Sequence, residues 1–172
     1  YSLRATYNIA SVNMSIGGGR YYTQSACDTA SGSEKAIIDL LRSVGIATVI
    51  SSGNDGYIDS TGAPGCISSA VIVGSTLDAT GFGNDCEFWK GGASSVDEVA
   101  CDSTSASFLD LLAPGAWIYS SVPGGGFQNL WGTSMAAPHV AGCWAVLKQG
   151  KPTATVDQIE LALKNTGVPV TD

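Results

Sequence analysis

The sequence predicts an α/β protein built on a mostly parallel sheet that is covered by helices. Short, continuously apolar runs recur along the chain, as in strands that are buried on both faces of a sheet. Segments with helical periodicity separate several of these runs, and this order favours parallel pairing. Glycines and small polar residues follow some of the runs, at the carboxyl ends of strands where such sheets bind ligands.

Five runs are predicted to be strands. Each is short and rich in apolar residues, and they span residues 11–16, 46–51, 70–74, 108–112 and 117–121. Pro114 and Gly115 separate the last two runs, and this pair of residues predicts a turn between them.

A first helix is predicted to begin after Ser31, following a polar loop over residues 20–32. Ser31 and Glu34 have the spacing of a capping box. Apolar residues then recur on one predicted face of the helix, namely Ala36, Ile37, Leu40, Leu41 and Val44. Gly45 is predicted to end the helix.

Two further helices are predicted in the C-terminal part of the sequence. One runs from about residue 134 to residue 149, and the other spans residues 156–165. Thr155 and Gln158 have the spacing to cap the second of these helices. The elements therefore predict one domain over residues 1–172, with no internal repeat and no linker.

Length and composition exclude several classes of protein. With 172 residues, of which 44% are apolar and 13% charged, the chain can bury a core of ordinary size. The net charge is −7 and no basic cluster occurs, so we expect no nucleic-acid partner. No apolar run is long enough to cross a bilayer, so we expect no membrane partner. The abrupt start of the sequence indicates a fragment or a processed product.

The cysteines favour disulfide bonds and an oxidising compartment. No CxxC spacing occurs and the chain has one histidine, which argues against a structural zinc site. We favour Cys27–Cys66, which joins two loops that follow strands, and Cys86–Cys101, which closes a loop rich in Gly, Ser and Asp. Cys143 lies in an apolar helix and is expected to be a buried free thiol. Other pairings, and five reduced cysteines, stay open at this point.

The run from Gly132 to Gly142, with the sequence GTSMAAPHVAG, carries the strongest functional signal. Ser134 opens a helical stretch, where unpaired backbone N–H groups and the helix dipole favour negative charge. Such a position suits an attacking hydroxyl and an oxyanion that forms beside it. A serine that only caps a packed helix is the alternative.

This run resembles the nucleophile motif of the subtilisin-like serine proteases, or subtilases, and the resemblance covers nearly the whole chain. The segment Ser15-Ile16-Gly17-Gly18 is similar to the Ser-Leu-Gly-Gly segment of that family. The resemblance implies a three-layer subtilisin-like fold that is incomplete on its N-terminal side. It also implies a serine endopeptidase, with Ser134 as the nucleophile that forms an acyl-enzyme.

The same resemblance implies an oxyanion hole and a substrate cleft. Asn54 precedes Asp-Gly, and its local sequence alone is typical of a turn. In the family, an asparagine after a small-residue stretch ending in glycine supplies the second oxyanion donor. The segment Ser15, Ile16, Gly17 and Gly18 would bind an extended polypeptide as an added strand. Ser51, Ser52 and Gly53 would form the facing wall of the pocket.

His139 is not expected to be the catalytic base. It follows Ser134 by five positions, so on one helix the two residues lie about 140° apart and roughly 7.5 Å apart along the axis. A general base must lie within hydrogen-bonding reach of the hydroxyl. We therefore interpret His139 as structural.

The triad aspartate and histidine are expected upstream of this chain. In subtilases the order is Asp, His, Ser, and neither of the first two motifs occurs here. The expected partner is therefore the upstream part of the same protease domain, and the chain alone is predicted to be inactive. A protease-derived module that binds peptides without cutting them is the main alternative. An α/β-hydrolase esterase is disfavoured because the nucleophile elbow lacks its second glycine.

No cofactor is expected to be required for catalysis, and a structural Ca²⁺ stays open. Asp110 lies in a segment that the family shares, where a matching aspartate sometimes helps to hold a cation. A single carboxylate is weak support, because Ca²⁺ takes six to eight oxygen ligands. Asp55 either makes the pocket more negative or is a solvated turn residue. The resemblance and the cysteines together imply a secreted protein.

Overall fold

The computed structural model describes residues 1–78 and 96–170. A short 3-10 turn, Ser2–Ala5, precedes the regular elements. In chain order these elements are β1 (Ser11–Met14), β2 (Gly18–Tyr21), α1 (Gln24–Ala30), α2 (Gly32–Ser43), β3 (Ala47–Ser51), β4 (Thr61–Ala63), β5 (Val71–Leu77), β6 (Leu111–Ala116), β7 (Ile118–Ser121), β8 (Phe127–Leu130), α3 (Thr133–Gly150) and α4 (Val156–Thr166).

The centre of the fold is a four-stranded parallel sheet in the order β1-β3-β5-β6. All residues of β3 and β5 are buried, as expected for central strands with helices on both faces. The predicted α/β class and the mostly parallel sheet are therefore confirmed. Two antiparallel pairs, β2 with β4 and β7 with β8, lie outside this sheet.

Two separate clusters form the core, one on each face of the sheet. On one face α3 and α4 pack against side chains of β3 and β5, with Trp144 fully buried among them. On the opposite face α1 and α2 pack against Ile50 through Cys27 and Ile38. The result is three layers, helix, sheet and helix, as predicted.

The prediction of a polar loop over residues 20–32 is wrong. This region contains the end of β2 and all of α1. Thr23 caps α1, because its side chain accepts a hydrogen bond from the Ala26 N–H at 3.2 Å. The sequence of β2, which contains two glycines, has no clear strand pattern. The strand exists through its pairing with the three-residue β4.

The turn that was predicted at Pro114 and Gly115 is also wrong, because β6 runs through both residues. Among the described strands β6 pairs only with β5, so it is an edge strand, where the missing proline N–H is tolerated. The chain turns instead at Trp117, whose φ is +59°.

The helix α2 presents a different face to the core than its apolar pattern predicted. Ile37 and Leu40 are 59% and 43% exposed, whereas Ile38 is 3% exposed. Arg42, four residues after Ile38 and so on the same side of the helix, bonds to Asp157 and Glu160 of α4. Ser31 makes no side-chain cap bond, so that predicted capping box is absent. The Thr155–Gln158 capping box of α4 is present, as predicted.

A disulfide joins Cys27 in α1 to Cys66, which follows β4, with their Cα atoms 5.8 Å apart. This is the first of the two favoured pairs. The second pair, Cys86–Cys101, includes a cysteine outside the described residues and stays a prediction. Cys143 is a free thiol, but the expectation that it is buried is wrong. It lies on the outward side of α3, away from the helix residues that pack on the sheet.

Candidate active site

Ser134 lies in the first turn of α3, beside the carboxyl end of β1. Its hydroxyl donates a long hydrogen bond to the Ser15 carbonyl oxygen, at 3.5 Å. In the other direction the Ser15 hydroxyl donates to the Ser134 carbonyl oxygen at 2.6 Å. The structure therefore brings Ser15 and Ser134 together.

Asn54 is held at the start of the same helix through Thr133. The Asn54 Oδ1 atom accepts hydrogen bonds from the Thr133 N–H at 2.9 Å and from the Thr133 hydroxyl at 2.8 Å. The Thr133 hydroxyl also accepts from the Gly53 N–H at 3.2 Å. Because Oδ1 is occupied on the helix side, Nδ2 is left as a hydrogen-bond donor. Sequence reasoning assigned no role to Thr133, although it stands beside the nucleophile.

Gly132 makes room for the amide group of Asn54. Its φ is +117°, a region that residues with side chains rarely adopt. A Cβ at this position would lie 2.7 Å from Asn54 Nδ2, which is too close for two heavy atoms. Glycine is therefore required here both by the backbone conformation and by the packing of Asn54.

The two segments that were predicted to wall the substrate pocket lie against each other. The Ser51 hydroxyl donates to the Ile16 carbonyl oxygen at 3.4 Å. Gly18 pairs with Ala63 at the start of β2, and a Cβ at Gly17 would lie 3.4 Å from the Ala63 carbonyl oxygen. Ile16 is 58% exposed. The other two residues of the second wall differ in exposure, because Ser52 is fully buried and Gly53 is partly exposed.

Ser52 has no exposed surface, and its backbone bonds on both sides. Its N–H donates to the Val73 carbonyl oxygen, and its carbonyl oxygen accepts from the Gly62 N–H. Gly53 is partly exposed and accepts from the Thr104 N–H at 3.0 Å. From the segment of residues 51–54, Gly53 and Asn54 therefore make the hydrogen bonds to Thr133, at the start of α3.

His139 lies one turn along α3, as the helical spacing predicts. Its Nδ1 atom is 2.8 Å from the Met135 carbonyl oxygen, and the residue is exposed. A cavity of about 430 Å³ opens between this part of α3 and the β7–β8 hairpin, next to Ser134. Its lining comprises Ile118, Tyr119, Ser120, Ser121, Leu130, Ser134, Met135, Pro138 and His139.

Asp110, which was considered as a cation ligand, has both carboxylate oxygens occupied by protein groups. One oxygen bonds to the Lys164 ammonium group, and the other accepts from the Ile72 N–H at 2.9 Å. Burial raises the pKa of Asp110 above its ordinary value, against the effect of these two donors. Across residues 1–78 and 96–170, no group of three or more His, Cys, Asp or Glu side chains could hold a metal ion. The structural Ca²⁺ stays an untested prediction.

Comparisons with known proteins agree with this architecture. The profile of peptidase S8, the subtilase family, matches residues 5–171. Subtilisin from Bacillus pumilus is 33% identical over 162 residues, which are 92% of this chain and 50% of that protein. The extracellular serine proteinase of Thermus sp. (strain Rt41A) is 33% identical over 165 residues, covering 93% and 33% of the two chains.

A solved structure shows the same relation. A protease from Pseudoalteromonas arctica PAMC 21717 superposes with a TM-score of 0.71 at 30% identity, over 93% of this chain and 44% of that one. The chain thus spans about half the length, or less, of the relatives it matches. In the part of the chain that the structure describes, no helix is long and apolar enough to cross a membrane. From the family profile and these similarities, we conclude that the chain belongs to the subtilase family.

Proposed function

We propose that this chain is the serine-bearing part of a subtilisin-like serine endopeptidase that cleaves extended polypeptides. One observation carries the proposal. The N–H and the hydroxyl of Thr133 both donate to the Asn54 Oδ1 atom and hold the carboxamide at the start of the helix that bears Ser134. A donor fixed beside a helix N-terminus suits an oxyanion, because it needs no reorganisation when negative charge develops. The family membership and the named proteases among the relatives support the same reading.

In the proposed reaction the Ser134 oxygen attacks the carbonyl carbon of the scissile peptide bond. The carbonyl π electrons move onto oxygen, and the Asn54 Nδ2 group and the Ser134 N–H donate hydrogen bonds to that oxyanion. Collapse of the adduct breaks the C–N bond, and the amine leaves with the proton that the base took from Ser134. Water then attacks the ester carbon of the acyl-enzyme and gives a proton to the base. The bond between that carbon and the Ser134 oxygen breaks, Ser134 recovers the proton, and the carboxylic acid product leaves.

The base and its aspartate are proposed to come from the upstream part of the domain. Two features of the described surface support a docking site for that part. The outward side of α3 carries exposed apolar residues, namely Val146, which is 66% exposed, and the free Cys143. Among the described strands β1 pairs only with β3, so its other edge is open. The cavity beside Ser134 adjoins the same helix, and it is the proposed position of the imidazole of the base.

Secretion is part of the proposal. A disulfide persists in an oxidising compartment, and the structure contains Cys27–Cys66. The Thermus relative is named as an extracellular proteinase. The proposed ligand is an extended peptide that would pair with residues 15–18 as an added strand, in keeping with the protease family.

Labelling with a fluorophosphonate tests this function. The probe is applied to the 172-residue chain alone and to the complete enzyme, meaning this chain expressed with the upstream segment of its own reading frame. We expect rapid labelling at Ser134 in the complete enzyme, cleavage of casein, and neither in the chain alone, because the hydroxyl then lacks its base. Ser134→Ala is the control that must abolish labelling. A complete enzyme that binds peptides but neither labels nor cleaves would instead identify a non-catalytic binding module.

A further inference from the structure

Pro138 leaves a gap in the hydrogen bonding of α3 at the residue that carries the nucleophile. In an α-helix each N–H bonds to the carbonyl oxygen four residues earlier. Pro138 lies inside α3 and has no N–H, so the Ser134 carbonyl oxygen lacks its usual partner. A carbonyl oxygen of this kind requires another donor when it is partly buried.

The Ser15 side chain supplies that donor. Its hydroxyl donates to the Ser134 carbonyl oxygen at 2.6 Å, across 119 residues of sequence. The Asn13 Nδ2 group in turn donates to the Ser15 hydroxyl oxygen at 3.0 Å. Because the Ser15 oxygen accepts from Asn13, its own proton is directed away from Asn13 and toward the Ser134 carbonyl oxygen. The three groups form a short relay in which each hydrogen bond strengthens the next.

We propose that Ser15 is a positioning residue for the nucleophile, and that Pro138 creates the vacant carbonyl through which it acts. The inference rests on the proposed function and assigns to Ser15 a task beyond lining the substrate pocket. The carbonyl group held by Ser15 belongs to the same residue as the attacking hydroxyl and one oxyanion donor. Fixing this residue therefore fixes both reacting groups, and small displacements of such groups lower the rate strongly.

The fold offers a matched control in Ser11. Its hydroxyl donates to the Ala141 carbonyl oxygen at 2.9 Å, so it makes the same kind of bond between β1 and α3. That bond lies two helical turns away from Ser134. Ser11→Ala and Ser15→Ala each remove a serine hydrogen bond to a carbonyl oxygen of α3. The Ala141 carbonyl keeps its helical partner, the Ala145 N–H, whereas the Ser134 carbonyl loses the donor that stands in for the missing one.

The experiment measures kcat, KM and the fluorophosphonate labelling rate in the complete enzyme. We expect Ser15→Ala to lower kcat and the labelling rate roughly five- to ten-fold, the effect of one hydrogen bond, with KM nearly unchanged. Ser11→Ala should leave both rates within about two-fold of wild type, and Ser15→Thr should retain most of the activity. Adding Pro138→Ala to Ser15→Ala should restore much of the loss, because the new N–H can bond to the Ser134 carbonyl oxygen.

The proposal is overturned if Ser15→Ala matches wild type, if Ser11→Ala loses as much activity, or if the loss appears only in KM. It is also overturned if Pro138→Ala gives no rescue. Should Ser15→Ala fail to fold, Asn13→Ala replaces it, because Asn13 is exposed and only orients the Ser15 hydroxyl. Its labelling rate should fall about two- to four-fold, and an unchanged rate overturns the proposal. A wild-type complete enzyme that does not label Ser134 would instead contradict the proposed function.

Discussion

Two polar networks lie beside the sheet, and they use different chemistry. At the ends of β1 and β3, the hydrogen bonds that hold Ser134 and Asn54 are made by neutral groups of Ser15, Thr133 and the backbone. Next to β6, alternating charges join α2, α4 and the sheet, in the order Asp157, Arg42, Glu160, Lys164 and Asp110.

The networks also differ in how fully their groups are used. Both carboxylate oxygens of Glu160 and both of Asp110 have donors. At the strand ends, by contrast, Asn54 uses its oxygen and keeps Nδ2, and the Ser134 hydroxyl has only a 3.5 Å contact. Saturated, half-buried carboxylates such as Glu160 and Asp110 stabilise the fold, whereas a site with spare donors can bind a reacting group. Substitutions in the two networks should therefore have separable effects.

The largest effect is expected for Asn54→Ala in the complete enzyme. It should lower kcat about 10²- to 10³-fold, the range known for the oxyanion-hole asparagine of subtilisin. The same change removes the acceptor of the buried Thr133 N–H and hydroxyl, so the free energy of unfolding should also fall, by about 1–2 kcal/mol. Steady-state cleavage of a chromogenic peptide, together with urea unfolding, measures both quantities. Wild-type kcat in this variant would show that Nδ2 does not serve the oxyanion.

Lys164→Met should have the opposite profile, with lower stability and unchanged catalysis. It leaves the Asp110 carboxylate, only 12% exposed, without its cation. Because Lys164 itself is 37% exposed, solvent screening reduces the expected loss to about 1–2 kcal/mol in the free energy of unfolding. Urea unfolding measures it, with Lys35→Met as the control, because the partner of Lys35, Asp39, is 49% exposed and stays solvated without its cation. A fall in kcat without a loss of stability would contradict the separation of the two networks.

The smallest effect concerns the pH dependence of Glu160. Burial acts to raise the pKa of Glu160, but hydrogen bonds from Lys164 and Arg42 outweigh it and hold the pKa below its ordinary value. The folded state therefore favours the ionised form. This contribution to stability is present above the unfolded pKa of about 4.3 and is lost as the pH falls through the folded pKa.

Glu160→Gln should accordingly be less stable than wild type by about 1 kcal/mol at pH 7, and the difference should shrink toward zero near pH 3. Asp110 contributes with the opposite sign, because its pKa is raised and its protonated form is favoured on folding. Comparing wild type and variant at each pH removes most of that contribution. A difference that stays constant between the two pH values would contradict a role for the Glu160 charge.

The sheet could be predicted because its strands are marked by local pattern. The runs that became β3 and β5 are short, apolar and buried on both faces. Ser15, Asn54 and Ser134 follow or begin such elements, so their meeting at one edge was accessible from the sequence. Their assigned roles came from the family resemblance, and the local sequence of Asn54 alone favoured a turn.

Other features depend on contacts between distant residues and left no local signal. The β4 strand has three residues, one of them glycine, and exists through pairing with β2. The inward side of α2 includes Arg42, whose partners lie more than 100 residues away in α4. The pairing of Asp110 with Lys164 spans 54 residues. The exposed Cys143 belongs to an apolar helix face that sequence reasoning took to be covered.

Gly132 limits how this region can change under mutation and selection. Every replacement would introduce a side chain at φ +117° and direct its first carbon into the Asn54 amide. The constraint falls on a residue that takes no part in the proposed reaction. In a library randomised at this codon, we expect the active clones to carry glycine. Another residue would be tolerated at position 132 only if a second substitution moved Asn54. The two positions are therefore expected to change together in evolution.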